Sequence, residues 1–241
     1  MNFPLGNGVK LLKEHPCGLF AFFKPDGLLS HPNSPRDHSR ALFKAPYHVD
    51  EECYDIEQPD GKRSKIWLLN RLDSATSGVL LCADHQGVAE AVRRKFAEDR
   101  VEKKYFALVF GVLKPPRQVW RDRLQVSRKN GKVRTSFRGG LFAETEANVV
   151  RTYPGRYPIS LLELRPKTGR THQLRVQSAK RKAPIVGDQT YGNFSWNREF
   201  AKATRQKRLF LHSAEVRLTF EVDGRAVDFF ARSELPKEFT P

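Results

Sequence analysis

The chain has 241 residues, of which 39% are apolar and 11% aromatic, a composition that supports one or two domains with a hydrophobic core and excludes wholesale disorder. Lys and Arg total 43 against 27 Asp and Glu, so the formal net charge is +16 and the isoelectric point is near 10.0. Such a charge indicates an anionic partner, either nucleic acid or a membrane surface.

The hydropathy pattern disfavours a membrane partner. No stretch approaches the roughly 18 uninterrupted apolar residues of a spanning helix, and the N-terminus lacks the apolar core of a signal peptide. We therefore expect a cytoplasmic protein with no membrane partner. Cys17, Cys53 and Cys82 are odd in number and widely spaced, which favours structural thiols over a disulfide framework or a zinc site.

The first half of the chain predicts strands around one helix. Residues 18–32, "GLFAFFKPDGLLSHP", predict a strand, a Pro-Asp-Gly turn and a short second strand. Residues 33–65 are polar and rich in turn formers, so we expect an irregular, loop-rich excursion there. Residues 66–83 hold two apolar segments around "NRLDSATSG". Residues 85–99 predict a helix, because valine and phenylalanine recur every four residues.

The second half adds further strands and one helix. Residues 102–113 are apolar on both alternating faces, which is typical of a central strand, and residues 114–140 form a basic stretch with turns. "YPISLLELRP" predicts a strand, "THQLRVQSAKRK" a helix, and residues 208–231 two strands joined at Asp223-Gly224. Strands dominate, so the expected fold class is α+β with a mixed, mainly antiparallel sheet.

Two segments concentrate the positive charge. Residues 114–138 contain nine basic residues and one acid, Asp122, while residues 165–182 contain seven basic residues and no acid. Clusters of this kind suit phosphate contacts, because each neutralised phosphate releases counterions. No zinc finger, leucine zipper or clear helix-turn-helix reader is evident, so folded RNA is favoured over duplex DNA. The alternative is a solvated face that only keeps the protein soluble.

Four segments carry a recognisable pattern: "NRLDSATSG" (70–78), "EKKYFALVFG" (102–111), "ELRPKTGRTHQLRVQSAKRKAPIVGDQTYG" (163–192) and "RLFLHSAEVRL" (208–218). Together with "KPDGLLSHP" (24–32), they resemble the RluA-type family of RNA pseudouridine synthases, with several motifs in the same order. The resemblance runs from about residue 18 to the end. It implies a pseudouridine synthase-like core of two lobes on a continuous sheet, with 1–17 as an N-terminal arm and 18–241 as a single catalytic domain.

The resemblance also implies the catalytic residues. Asp73 corresponds to the family's nucleophilic or basic carboxylate, Tyr105 to the tyrosine that packs on the target base, and Arg175 to the arginine that pairs with the carboxylate. Taken alone, Asp73 could be a turn residue, Tyr105 a core residue and Arg175 a phosphate contact. Asp188 is most simply a turn residue or a support for the site.

A second set of residues is expected to bind RNA. Arg71 corresponds to the arginine that, in the family, helps hold the RNA open as the base leaves the stack. We also expect RNA contacts from four residues of the later motifs: Lys104, Lys167, Arg170 and His172. His172 is interpreted as a structural or RNA-contacting residue and not as a catalytic one.

The implied reaction needs no cofactor or metal. Conversion of uridine to pseudouridine moves the glycosidic bond from a ring nitrogen to a ring carbon, and this change is redox-neutral. It needs one ionised carboxylate, whose pKa a nearby arginine lowers by about 1–3 units. Removing the base from its stack costs a few kcal/mol, and stacking on an aromatic side chain returns about 1–3 kcal/mol. We expect a monomer that acts on a specific uridine of structured ribosomal or transfer RNA.

One position departs from the family pattern. Asn70 stands where the family usually has His, and an asparagine side chain does not titrate near neutral pH. This departure and the charge motivate an alternative, a non-catalytic RNA-binding or ribosome-assembly factor on the same scaffold. A glycosidase would need a second positioned carboxylate, and no convincing candidate is evident.

Overall fold

The computed structural model describes residues 2–129, 132–155 and 157–240, and it divides into two compact units. The first unit comprises residues 1–101 and 215–233, and the second comprises residues 102–214 and 234–241. Among the described residues, no helix is long and apolar enough to cross a membrane. The expected α+β class with a mixed, mainly antiparallel sheet is confirmed.

The first unit is built on antiparallel strands with one α-helix. The elements are β1 (Lys10–His15), β2 (Leu19–Lys24), a 3-10 helix (Pro35–Arg40), β3 (Tyr47–His48), β4 (Cys53–Glu57), β5 (Arg63–Leu68), β6 (Ser77–Ala83), α1 (Gln86–Ala97), the later part of β11 (Leu211–Val222) and β12 (Arg225–Arg232). Strand β2 pairs with β1 and β6, β5 pairs with β4 and β6, β3 with β4, and β12 with β11.

Strand β6 is the core of the first unit, and all seven of its residues are buried. Val79 and Leu81 face a cluster that includes Val88 and Val92 of α1, while Leu80 and Cys82 face a second cluster on the opposite side. The helix predicted from the four-residue spacing is therefore confirmed, because that spacing places its valines on one face.

The predicted hairpin at Asp223-Gly224 is also confirmed. β11 and β12 pair from Glu215↔Arg232 to Val222↔Arg225. Asp223 has φ 50° and Gly224 has φ 70°. A two-residue turn with positive φ at both positions matches the twist of the flanking strands, which is why Asp-Gly is favoured there.

The second unit is also built on antiparallel strands. Its elements are β7 (Glu102–Phe110), β8 (Arg117–Lys129), β9 (Lys132–Tyr153), β10 (Ile159–Pro166), α2 (Gln173–Lys180), α3 (Phe194–Thr204), the first part of β11, and a 3-10 helix (Lys237–Phe239). Four of these strands are consecutive antiparallel neighbours in the order β7, β10, β9, β8. The other edge of β7 bonds to residues 184–186 and 210 through backbone hydrogen bonds. The prediction of a central strand is thus confirmed.

The basic stretch forms longer strands than its sequence suggests. β8 and β9 make a hairpin arm of 13 and 22 residues. On the face towards α2, Trp120 and Leu124 are buried with Asp122 between them, so a charged residue interrupts the apolar alternation of a half-buried strand. Helix α3 was not predicted either.

Helix α2 is joined to β8 and β9 by buried polar side chains. The side chain of Asp122 is fully buried and accepts hydrogen bonds from Gln177 Nε2 (2.8 Å), Lys180 Nζ (2.7 Å) and Arg181 Nη1 (2.9 Å). Burial raises the pKa of Asp122, but the bonds from Lys180 and Gln177 and the charge and bond of Arg181 outweigh it and hold the pKa below its usual 3.8.

The lowered pKa of Asp122 gives a test of its contribution to stability. Its ionised form stabilises the fold above about pH 3.8, and this contribution is lost as the pH falls through the folded-state pKa. At pH 6, Asp122→Asn should lower the free energy of unfolding by about 2 kcal/mol, because the charged acceptor is lost. The difference from the unchanged protein should shrink by pH 3, as measured by urea unfolding.

The control variant is Asp228→Asn, which breaks an exposed ion pair with Arg217. Such pairs contribute about 0–1 kcal/mol, so little change is expected at either pH. An Asp122→Asn deficit that stayed constant between pH 6 and pH 3 would contradict the assignment.

Candidate active site

The loop that carries Asp73 joins β5 to β6 in the first unit, and its two ends are fixed by hydrogen bonds. Leu81 accepts a bond from the Leu69 amide (3.0 Å) and donates its own amide to Asn70 Oδ1 (2.8 Å). The Thr76 amide donates to the Asp73 carbonyl (2.9 Å), which closes a turn. Asn70 therefore has a structural role in the loop, because its side chain binds the backbone of β6.

Residues on both sides of the Pro-Asp-Gly turn are hydrogen-bonded to the same loop. Lys24 has no exposed surface, and its ammonium donates to the carbonyls of Pro25 (2.8 Å), Leu28 (2.7 Å) and Ser74 (3.1 Å). Ser30 Oγ donates to the Leu72 carbonyl (3.0 Å) and accepts from the Leu72 amide (3.1 Å). These bonds fix the residues on both sides of Asp73, so the backbone of the proposed carboxylate has little freedom.

Arg71 lies at the surface of the first unit. Its Nη1 is 3.8 Å from Glu52 Oε1, and both side chains are well exposed. Glu52 also lies 3.5 Å from Arg93, whose Nε and Nη2 bind the Leu68 carbonyl. An exposed pair of this kind contributes little free energy, so Arg71 loses little when it leaves Glu52.

Tyr105 lies on β7 in the second unit, directly opposite Leu164 of β10. Residues opposite each other in an antiparallel pair share a sheet face, so Tyr105 faces the same side as Leu164 and its β9 partner Ala147. Its side chain is partly exposed. Lys104, its neighbour along the strand, points to the opposite face, so these two predicted residues are not brought together.

Arg175 lies on α2 and forms a buried bidentate ion pair with Asp188. Arg175 Nε and Nη2 bind the two carboxylate oxygens at 2.8 and 2.9 Å, and the residues are 8% and 1% exposed. Asp188 Oδ1 also accepts the amides of Thr190 (2.8 Å) and Tyr191 (3.0 Å). Burial raises the pKa of Asp188, but the bonds and charge of Arg175 and the two amides outweigh it, so the pKa lies below its usual range.

The Gly-Asp sequence of the motif has a steric cause. Gly187 has φ 78°, and a Cβ there would collide with the carbonyl of Arg208. Its amide donates to Asn197 Oδ1 (2.7 Å), and Asn197 Nδ2 donates to the Asp188 carbonyl (3.0 Å). Glycine at position 187 thus lets the turn pass close to the backbone of Arg208, and Asp188 then lies against the Arg175 side chain.

An aromatic side chain covers the other side of Arg175. The guanidinium carbon is 5.3 Å from the centre of the Tyr191 ring. The Tyr191 hydroxyl lies 2.9 Å from His172 Nδ1 and accepts the Thr135 amide (2.7 Å). His172 has φ 53°, an unfavourable region for a residue with a side chain. Its imidazole is held against the Tyr191 hydroxyl, and the expected RNA contact of His172 stays a prediction.

The other predicted RNA contacts in the second unit have protein partners as well. Arg170 Nε donates to the Phe142 carbonyl (3.0 Å), and Lys167 Nζ is 2.9 Å from Glu146 Oε1. The pairing of Asp73 with Arg175 stays a prediction, since the two residues belong to different units. Sequence reasoning left the partner of Asp188 open and missed Lys24, Ser30 and Tyr191, although all lie within the quoted motifs.

Comparison with known proteins gives one consistent result. Residues 18–180 match the family model described as RNA pseudouridylate synthase. The chain is 32% identical over 223 residues to "Ribosomal large subunit pseudouridine synthase D" of Borreliella burgdorferi, covering 90% of this chain and 62% of that protein. It is 33% identical over 211 residues to "tRNA pseudouridine synthase C" of Haemophilus ducreyi, covering 83% and 82%.

Solved structures share the fold at lower identity. "Human RNA Pseudouridylate Synthase Domain Containing 4" has a TM-score of 0.66 and 23% identity, with 95% of this chain and 89% of that chain covered. "Human RNA Pseudouridylate Synthase Domain Containing 1" has a TM-score of 0.67 and 22% identity, with 95% and 91% covered.

The buried ammonium of Lys24 gives a test of how the Asp73 loop is supported. Lys24→Met should lower the free energy of unfolding by about 3 kcal/mol or more, because three carbonyls lose a charged donor. Lys10→Met, an exposed substitution on β1, should change it by less than about 0.5 kcal/mol. Urea unfolding measures both, and equal effects would contradict the supporting role of Lys24.

Proposed function

Because this chain belongs to the family of RNA pseudouridylate synthases, we propose that it isomerises a specific uridine of a structured RNA to pseudouridine, with Asp73 as the catalytic carboxylate. The observation that carries the proposal is that the matched residues, 18–180, contain Asp73, Tyr105 and Arg175. The names of its relatives make ribosomal and transfer RNA the candidate substrates. We place the reaction in the cytoplasm and assign it to a monomer.

The proposed reaction exchanges one bond and one proton. The bond from the sugar C1′ to N1 of the base breaks, a bond from C1′ to C5 forms, C5 loses its proton and N1 gains one. Asp73 either adds to C1′ or removes the proton from C2′, and both routes begin with an ionised carboxylate. The turn closed by Thr76 supports this role because it holds the Asp73 backbone in place.

Arg175 is the proposed partner of the Asp73 carboxylate. A neighbouring guanidinium favours the ionised form of an aspartate. Asp188 binds Nε and Nη2 and thereby fixes the guanidinium plane, including the direction of Nη1. Tyr105, partly exposed on β7, is the proposed surface on which the displaced uracil stacks. We assign Asp188 as a positioning residue that acts through Arg175.

The remaining positive charge suits the RNA backbone. Several basic residues of the two runs bind acids, whereas others form no ion pair with any residue that the structure describes. These include Lys114, Arg117, Arg134 and Lys182. We propose this second group as phosphate contacts, because unpaired cations lose least when they bind a phosphate. Arg71 joins them because its pair with Glu52 is exposed and contributes little free energy.

Replacement of the proposed carboxylate tests the function directly. RNA labelled with tritium at C5 of uridine, prepared from cells that lack the gene, should release tritium when incubated with the protein. Asp73→Asn should reduce that release by at least about 1,000-fold, because an amide neither attacks nor accepts the proton. Asp228→Asn, an exposed aspartate on β12, is the control and should keep full activity. Full activity of Asp73→Asn would refute the role.

The positioning role of Asp188 is tested against a matched buried acid. Asp188→Asn should lower kcat by about 10- to 100-fold with KM nearly unchanged, because a misplaced guanidinium affects the reacting group. Asp122→Asn also removes a buried carboxylate that binds basic side chains near α2, but it leaves Arg175 paired. It should lower stability without the loss of kcat. Equal kcat losses in both variants would show that Asp188 acts only on folding.

A further inference from the structure

Three aromatic rings in the first unit form a stack that runs from the core towards the surface. Tyr54 is fully buried and packs edge-on against Tyr47, with ring centres 4.8 Å apart. Tyr47 and His31 lie nearly parallel, with ring centres 4.8 Å apart and planes inclined by 11°. His31 and Tyr47 are both partly exposed, and among the described residues no second ring packs on His31.

The stack is joined to the Asp73 loop through the residue before His31. Ser30 Oγ exchanges two hydrogen bonds with the Leu72 backbone, and the Ser30 carbonyl accepts the Tyr54 hydroxyl at 2.7 Å. Leu72 immediately precedes Asp73. A base lying on His31 would therefore be held by the same short segment that holds the proposed carboxylate.

The surroundings of the stack suit a nucleotide. Burial and the charge of Glu52 raise the pKa of Tyr47 to about 12, opposed by the charges of Arg71 and Arg93, so the phenol is neutral at physiological pH. Arg71 immediately precedes Leu72, the residue to which Ser30 is hydrogen-bonded, so the same loop carries its guanidinium. His31 Nδ1 lies 3.1 Å from the Pro32 carbonyl, a contact that fixes the plane of the imidazole before any ligand binds.

We propose that the His31–Tyr47 pair is a stacking platform for a base of the RNA that flanks the target uridine, with Arg71 contacting the adjoining phosphate. Unpaired bases stack on aromatic side chains, histidine included, and such stacking is tolerant of sequence. This inference rests on the proposed function, since it identifies a further part of the same RNA-binding surface. A purely structural role would require only that the histidine cover Tyr47.

The test compares three variants of the full chain. His31→Ala removes the outer ring, and His31→Phe keeps a ring but loses the Nδ1 contact. His48→Ala is the matched control, because it removes a half-exposed imidazole from the residue next to Tyr47. Dissociation constants are measured by filter binding with transfer and ribosomal RNA from cells that lack the gene. Thermal melting establishes that each variant is folded.

His31→Ala should raise the dissociation constant about tenfold, whereas His31→Phe and His48→Ala should stay within about twofold of the unchanged protein. Ultraviolet cross-linking followed by mass spectrometry should find a nucleotide on His31 or Tyr47. The platform is refuted if His31→Ala binds as tightly as the unchanged protein, or if His31→Phe binds as weakly as His31→Ala. If the unchanged protein releases tritium but His31→Ala binds RNA as tightly as it does, the platform alone is refuted. If His31→Ala binds RNA more weakly but the unchanged protein releases no tritium, the proposed function alone is refuted.

Discussion

A guanidinium buried together with its carboxylate is the constraint on which the proposed chemistry depends. Removing two charges from water is costly, and the cost is offset only when both are fully hydrogen-bonded. Asp188 receives four N–H donors, two from Arg175 and two from the backbone, and the Tyr191 ring lies beside the guanidinium. The arginine consequently has one orientation, which a surface arginine would not have. This is the property that catalysis by a fixed positive charge requires.

The charge of the protein is less concentrated than its sequence suggests. The run 165–182 contains no acid, yet Arg165 is paired with Glu163, Lys167 with Glu146, and Lys180 with Asp122. Glu163 lies on β10 two residues from Arg165, whereas Glu146 and Asp122 come from β9 and β8. A one-dimensional count of charges cannot show this pairing. The cations that remain for RNA are consequently fewer than the runs contain.

Sequence patterns predicted the elements whose buried face is apolar or whose turn residues are distinctive, and they missed the strand that buries a charged side chain. The helix over Val88 and Val92 and the hairpin at Asp223 follow from spacing and turn chemistry alone. The β8–β9 arm was missed because Asp122 occupies a buried position that an apolar pattern would reserve for a hydrophobic residue. For the site, the motifs gave the candidate residues, but the hydrogen-bond partners of Asp188 depend on folding. Only the folded chain shows that Asn70 is used to fix a backbone amide.

The first unit closes its core with a distant part of the chain. Val216, Leu218 and Phe229 belong to the same buried cluster as Leu19 and Leu81, although nearly the whole second unit separates them in sequence. During synthesis on the ribosome, residues 1–101 therefore emerge long before the strands that cover them. Such long-range pairing slows folding, and apolar surface stays exposed to solvent until the pairing has formed. A nascent chain of this protein therefore keeps part of its first core exposed until its last strands have been translated.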